Sequence, residues 1–180
     1  MFYISHRGNI FGPNKNEENK IDYINYAIKL GFDVEIDVWF YKDNFYLGHD
    51  EPLYKVKKNF ILKKNFWCHA KNFEALINLK KINANYFWHQ NDDYVLTSSG
   101  YIWTFPGKKL YKKSIYVLPE HQKKFDNSQN YKGICSDFID KYRNKILNLK
   151  KKMRKDYQLI IPVAGPNSNF EMFKNHKLLI

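Results

Sequence analysis

The stretch FDVEIDVWFYKDNFYLGHD, from Phe32 to Asp50, decides how this chain is read. Val34, Ile36 and Val38 alternate with Glu35 and Asp37. Successive strand residues point to opposite faces, so both carboxylates share one face of a single strand. Two oxygen donors on one face suit a hard cation. Lys42-Asp43-Asn44 is a turn signal, and Phe45 to Gly48 then reads as a second strand that returns without an intervening helix and delivers His49 at its end.

Upstream, Phe2 to Ser5 is a short apolar strand ending at His6, and Ile21, Ile24, Ala27 and Ile28 recur at helical spacing until Gly31 closes the helix. Downstream, five further strands are expected at Phe66 to Ala70, Tyr86 to His89, Tyr101 to Phe105, Ile115 to Leu118 and Gly133 to Ser136. Helices are expected after the fourth strand, where Asn72 can cap Phe73-Leu76-Ile77, and after the eighth, where Ile139, Tyr142, Ile146, Leu149 and Met153 repeat every three or four residues. Periodicity by itself thus describes a mixed α/β chain.

The 180 residues are 44% hydrophobic and 18% aromatic, a globular composition with enough apolar residues for one sizeable core. The formal net charge of +12 raises a nucleic-acid-binding reading. Among the basic residues, however, only Arg7, Arg143 and Arg154 are arginines, and bidentate phosphate and base contacts rely on Arg. The lysine excess therefore reads as solvated surface, and no sequence-specific nucleic-acid partner is expected. Arg7 stands out against that background. Cys68 and Cys135 are too few and too far apart for a disulfide framework or a zinc knuckle, and read as buried free thiols of a reducing compartment. The first strand begins almost at Met1, which leaves no room for a signal peptide, and no apolar run approaches the roughly 20 residues of a membrane span. A cytoplasmic protein without a transmembrane segment is expected.

His6, Arg7, Glu35, Asp37 and His49 all lie within the first fifty residues. Cleaving a phosphodiester requires neutralising the phosphoryl oxygens, removing a proton from the attacking hydroxyl and donating one to the leaving oxygen. A metal, an arginine and two histidines meet those three needs.

Taken in order, His6-Arg7-Gly8, Glu18-Asn19, Glu35-Ile36-Asp37 and His49-Asp50 resemble the opening of the glycerophosphodiester phosphodiesterase family, in the superfamily that includes the phosphatidylinositol-specific phospholipases C. The family pattern is H-R-G, P-E-N before a helix, E-x-D on a strand and H-D; Glu17 stands where the proline would be. The resemblance implies a TIM-type (β/α)8 barrel over residues 1–155, compact and with several helices trimmed or missing. It would be unusually small, since such barrels run to about 250 residues and reach about 200 at the low end.

The resemblance further implies a metal-dependent phosphodiesterase, a hydrolase of lipid metabolism acting on a glycerophosphodiester-like or lipid-derived phosphodiester. His6 would be the general base, His49 the general acid and Arg7 the holder of the phosphoryl oxygens. Glu35 and Asp37 would bind one divalent metal ion, Mg, Ca, Mn or Zn. Glu18 would reach the same ion or favour the N-terminus of the following helix through its dipole. In Cys68-His69-Ala70-Lys71-Asn72, where the family carries E-x-K, His69 falls at a third metal-ligand position and Lys71 keeps the lysine. An imidazole there favours ions that accept nitrogen over Ca²⁺.

In such barrels the reacting groups lie at the C-terminal ends of the strands. His6, Glu35, Asp37, His49, His69, Lys71, His89, Glu120 and Asp137 all fall at or just beyond expected strand ends. Lys71 is expected to contact substrate, Trp88 and Trp103 to stack on an apolar or sugar-like moiety, and Asp92 or Asp93 to bind a hydroxyl. Residues 156–180 stand apart: Leu159 to Gly165, with Pro166 and Asn169 after it, resembles the first strand and loop of a sugar-phosphate nucleotidyltransferase. Pro166 and Asn169 replace the glycine and basic residue such a loop needs, so a remnant without activity, or a docked C-terminal strand, is expected. Two other functional classes remain open beside the diesterase: a catalytically inactive barrel that binds a phosphorylated ligand, and a basic nucleic-acid-binding protein.

Overall fold

A computed structural model describes residues 1–158 apart from 127 and 129, with side chains as far as Lys152. The strand and loop expected over Leu159 to Asn169 lie outside the described residues. Met1–Asn144 form one unit that contains every strand described, and the chain from Lys145 on groups separately. The strands are β1 (Phe2–His6), β2 (Asp33–Tyr41), β3 (Asn44–Leu47), β4 (Tyr54–Val56), β5 (Phe66–Ala70), β6 (Tyr86–Phe87), β7 (Tyr94–Leu96), β8 (Ile102–Thr104), β9 (Ser114–Val117) and β10 (Gly133–Ser136). Four α-helices accompany them: α1 (Ile21–Lys29), the single turn α2 (Lys58–Ile61), α3 (Phe73–Lys81) and α4 (Ile139–Gln158).

These strands make one open, mixed sheet of ten strands, which corrects the expected (β/α)8 barrel. All eight expected strands are present, but they do not close a parallel ring. The parallel path runs β6-β5-β2-β1-β10-β9-β8, and no ladder joins β6 to β8. β3 is antiparallel to β2, because a two-residue turn with Lys42 at φ 47° and Asp43 at φ 58° can only send the chain straight back. β4 pairs antiparallel with β3, and β7 with β8; periodicity proposed neither β4 nor β7. Among the described residues the connections from β8 to β9 and from β9 to β10 carry no α-helix, the second holding a 3-10 turn at Pro119–His121. The helical outer ring that defines a (β/α)8 barrel is therefore missing on that side.

The parallel strands still curl around a common interior. Ile4, Trp67, Phe87, Trp103, Ile115, Val117 and Cys135 are buried in one cluster drawn from β1, β5, β6, β8, β9 and β10. Trp67 and Trp103 lie 6.0 Å apart between ring centroids, and Phe87 and Trp103 4.4 Å, so strands distant along the sheet meet across it. The other face of β2, with Val34, Ile36 and Val38, is fully buried as well.

β2 is the organising strand. β5 pairs with it from Val34 to Val38 and so takes one edge; the other is shared between β1, opposite Asp33 to Glu35, and β3, opposite Val38 to Tyr41. The end of β3 is thereby aimed at the end of β1. Asn72 performs the expected cap, accepting from Ala75 N at 3.0 Å. It also exchanges two hydrogen bonds with the backbone of Phe40, at 3.1 and 2.9 Å, tying α3 to β2. A cap alone is worth about 1 kcal/mol and each further bond about 1 kcal/mol. Asn72→Ala should therefore lower stability in urea denaturation by about 2–3 kcal/mol, and a loss no larger than a simple cap would show that the ties to Phe40 are idle.

Candidate active site

The C-terminal end of β1 begins the site. His6 is the last residue of the strand, and the chain turns sharply after it, with Arg7 at φ 54° and Gly8 at φ 94°. A Cβ at Gly8 would sit 2.6 Å from Cδ1 of Tyr23, so only glycine allows this turn beside α1. Arg7 N donates to Glu35 O and Arg7 O accepts from Asn19 N, both at 3.0 Å, which pins the turn to β2 and to the loop before α1.

Register then assembles the donors. His6 is opposite Glu35, Asp37 opposite His69, and His69 opposite Phe87. Glu35, Asp37 and His69 bring one donor atom each within 4.8 Å of one another. Glu35 and Asp37 are buried, and Glu35 Oε2 has no hydrogen-bond partner among the described residues. Two carboxylate oxygens and an imidazole nitrogen are a donor set for a divalent cation, and the unpartnered buried oxygen fits one.

Asp37 is the most heavily held group. Its Oδ2 lies 3.0 Å from Arg7 Nε and accepts from Asn19 Nδ2 at 2.9 Å. Its Oδ1 is 3.1 Å from His69 Nδ1 and 3.4 Å from Lys71 Nζ. Burial alone would raise its pKa, but the hydrogen bond with His69 and the charges of Arg7 and Lys71 prevail and hold it far below the usual carboxylate range. For Glu35 burial, and after it the charge of Asp37, outweighs the charges of His6, Arg7 and His69 and pushes its carboxyl up.

The two histidines are set in opposite senses. His6 Nδ1 is 2.8 Å from Asp137 Oδ1, and Nε2 is 3.9 Å from Glu35 Oε2. Burial would lower the His6 pKa, but Asp137 and Glu35 outweigh it and raise the value above that of free imidazole. His49 is lowered, first by burial and then by the positive charge of Arg7, although Asp50 Oδ1 lies 2.6 Å from its Nδ1. Gly48 N donates to Asp37 O at 3.2 Å and Trp39 Nε1 to Gly48 O at 2.7 Å, which fixes the chain just before His49 against β2.

His6, Arg7, Glu35, His49, His69, Lys71, Trp88 and Trp103 line one cavity of about 410 Å³. Of the expected site residues Asp37 is not on its wall, although Arg7, His69 and Lys71, which hold it, are; Glu18 also lies away from it. Its carboxylate accepts from Arg7 Nη1 at 3.1 Å and from Asn9 Nδ2 at 2.9 Å, and it stands outside the Glu35-Asp37-His69 cluster. Trp103 is buried within the interior cluster and offers only part of a deep wall. Asp93 pairs with Lys108 at 2.7 Å, and neither Asp92 nor Asp93 lines the cavity.

Sequence reasoning gave no role to three groups that the site depends on. Asp137 was visible only as an acid after a strand, yet it orients His6 and is itself held by Asn9 Nδ2 at 2.8 Å and, through its backbone N, by Glu120 at 2.9 Å. Asn9 and Asn19 have no titratable atom to draw notice, although Asn19 was readable as part of the E-N motif. Asn19 grips Asp37 twice, donating to the carboxylate and accepting from its backbone N at 3.0 Å. Arg143, by contrast, serves the fold: it donates to Leu30 O at the end of α1 at 3.0 Å and to Asp140 at 2.6 Å.

Comparison with protein-family models, with curated proteins and with solved structures finds no match. No helix among the described residues is long and apolar enough to cross a membrane.

A cation bound here should stabilise the fold. In Mn²⁺ at a hundred times its Kd the gain is about 2.7 kcal/mol, read as a rise in Tm. Glu35→Gln should keep or raise the metal-free Tm, because it removes a buried like charge beside Asp37, and should abolish the Mn²⁺-dependent rise. An equal rise in both proteins would place the ion elsewhere.

Proposed function

We propose that this chain is a metal-dependent phosphoric diester hydrolase acting on a glycerophosphodiester-like or lipid-derived phosphodiester. The observation that carries the reading is the convergence of His6, Arg7, His49 and two members of the Glu35-Asp37-His69 cluster on one cavity. Bound there, a divalent cation would draw charge from a phosphoryl oxygen.

The chain's own residues perform the rest. Arg7, clamped by Glu18 and Asp37, presents its guanidinium to the remaining phosphoryl oxygens. Asp137 fixes the His6 tautomer, leaving Nε2 to take the proton of the attacking hydroxyl as its oxygen bonds to phosphorus. The bond from phosphorus to the leaving alcohol then breaks with its electron pair, and His49 supplies the proton to that oxygen. The opposite settings of the two imidazoles suit these roles, because a raised pKa makes His6 the stronger base and a lowered one makes His49 the stronger acid.

A second reading has its own support. Arg7, Asn19, His69 and Lys71 already compensate Asp37, so the same cavity could hold a phosphorylated ligand without turnover. Activity separates the two. His6→Ala and His49→Ala should each cut diester hydrolysis by about 10²–10⁴-fold with the fold intact by circular dichroism; a variant near the wild-type rate would refute its assigned role. Wild type should turn over faster with Mn²⁺ or Zn²⁺ than with Ca²⁺, and His69→Glu should shift the ranking toward Ca²⁺ and Mg²⁺. An unchanged ranking would remove His69 from the ligands, and no turnover with any metal in either protein would favour the binding module.

A further inference from the structure

Two cavities meet at Arg7 and His49. Beside the cavity of about 410 Å³ lies one of about 340 Å³, and these two residues line both. Their walls differ in chemistry. The smaller cavity is bordered by Lys15, Asp50, Glu51 and Tyr54, charged and hydroxylated groups.

The larger adds rings to the charged groups of Glu35 and Lys71. His69 and His89 are 4.4 Å apart between centroids and 6° from parallel, and His69 and Phe87 are 5.1 Å apart and 7° from parallel. Phe105 stands edge-on to His89 at 4.7 Å. The stack follows from register: His69 is opposite Phe87, and His89 lies two residues beyond Phe87. Trp88, half-buried, closes the same cavity and packs edge-on to Phe73 at 6.3 Å.

We propose that the larger cavity is a subsite for a planar unsaturated ring on one ester arm of the substrate, and that the smaller takes a polyhydroxy alcohol on the other arm. The substrate class is then a mixed diester joining a ring-bearing group to a small polar alcohol. This rests on the reading that a phosphodiester is held at Arg7. The two ester oxygens of a tetrahedral phosphorus point apart, so a phosphoryl group at the seam sends one arm into each cavity. A ring offered to parallel rings gains stacking or edge contacts beyond its buried area, whereas a saturated group gains area alone. Asp50, Glu51 and Lys15 can bond hydroxyls, and an apolar arm there would strip them of water without return.

The test uses the intact protein with Mn²⁺ and three glycerol phosphodiesters, whose second arm is 2-phenylethyl, 2-cyclohexylethyl or ethyl, followed by phosphorus NMR. The phenylethyl diester should exceed the ethyl one about tenfold in kcat/KM and the cyclohexylethyl one about threefold, mainly through KM. Trp88→Ala should remove most of that preference. Equal rates for all three, or a cyclohexyl arm as good as a phenyl one, would overturn the ring subsite and leave the diesterase reading standing. If none is turned over, titration of tryptophan fluorescence with 2-phenylethyl phosphate and ethyl phosphate decides separately. Saturable binding of the phenylethyl ester about tenfold tighter keeps the subsite without catalysis, and equal affinities remove it.

Discussion

The carboxylate of Asp37 is the group around which the site is organised. A buried ion costs several kcal/mol unless opposite charge and hydrogen bonds compensate it. Here Arg7 from the turn after β1, Asn19 from the loop before α1, and His69 and Lys71 at the end of β5 all supply them. Each of these partners is therefore fixed in place by the need to satisfy one anion. Removing a partner would leave charge stranded in the interior, which typically costs about 3–5 kcal/mol. Through Arg7 the constraint reaches Glu18, and through Glu18 it reaches Asn9 and Asp137, the partner of His6.

The sheet makes this convergence possible. β2 is long enough for β1 to pair with its first part and β3 with its last, and the tight return at Lys42-Asp43 brings Gly48 and His49 back beside Asp37. A helical crossover in that place would have carried the second histidine away from β1. Gly48 sits at φ 149°, and a Cβ there would run into the backbone oxygen of Glu51, so the loop carrying His49 is built around a residue without a side chain.

Much of this was legible in the residues. Alternation placed Glu35 and Asp37 on one face, the turn signal at Lys42-Asp43-Asn44 predicted a direct return, and Asn72 announced the start of α3; all three are present. The closed barrel was not, because strand counting cannot tell a parallel neighbour from an antiparallel one. The strand expected over Phe45 to Gly48 forms as β3 but lies antiparallel to β2 and joins no ring. β4 and β7, three residues each, are too short to show a period. Within the site, titratable side chains stand out in the sequence and amides do not. Asn9 and Asn19 mattered because buried carboxylates need hydrogen-bond donors, a demand that appears only once burial is known.

Glu35 differs from Asp37 in one respect: its Oε2 is buried 3.9 Å from His6 Nε2 without a hydrogen bond, and its Oε1 is 3.9 Å from His69 Nδ1, while every oxygen of Asp37 is held. The most direct measurement is anomalous diffraction from crystals soaked in Mn²⁺. A metal-assisted site predicts a single strong anomalous peak bonded to Glu35, Asp37 and His69, with the Arg7 guanidinium still on Asp37. No peak among these three residues at saturating Mn²⁺, with Lys71 and Arg7 remaining the only cations on the cluster, would contradict it.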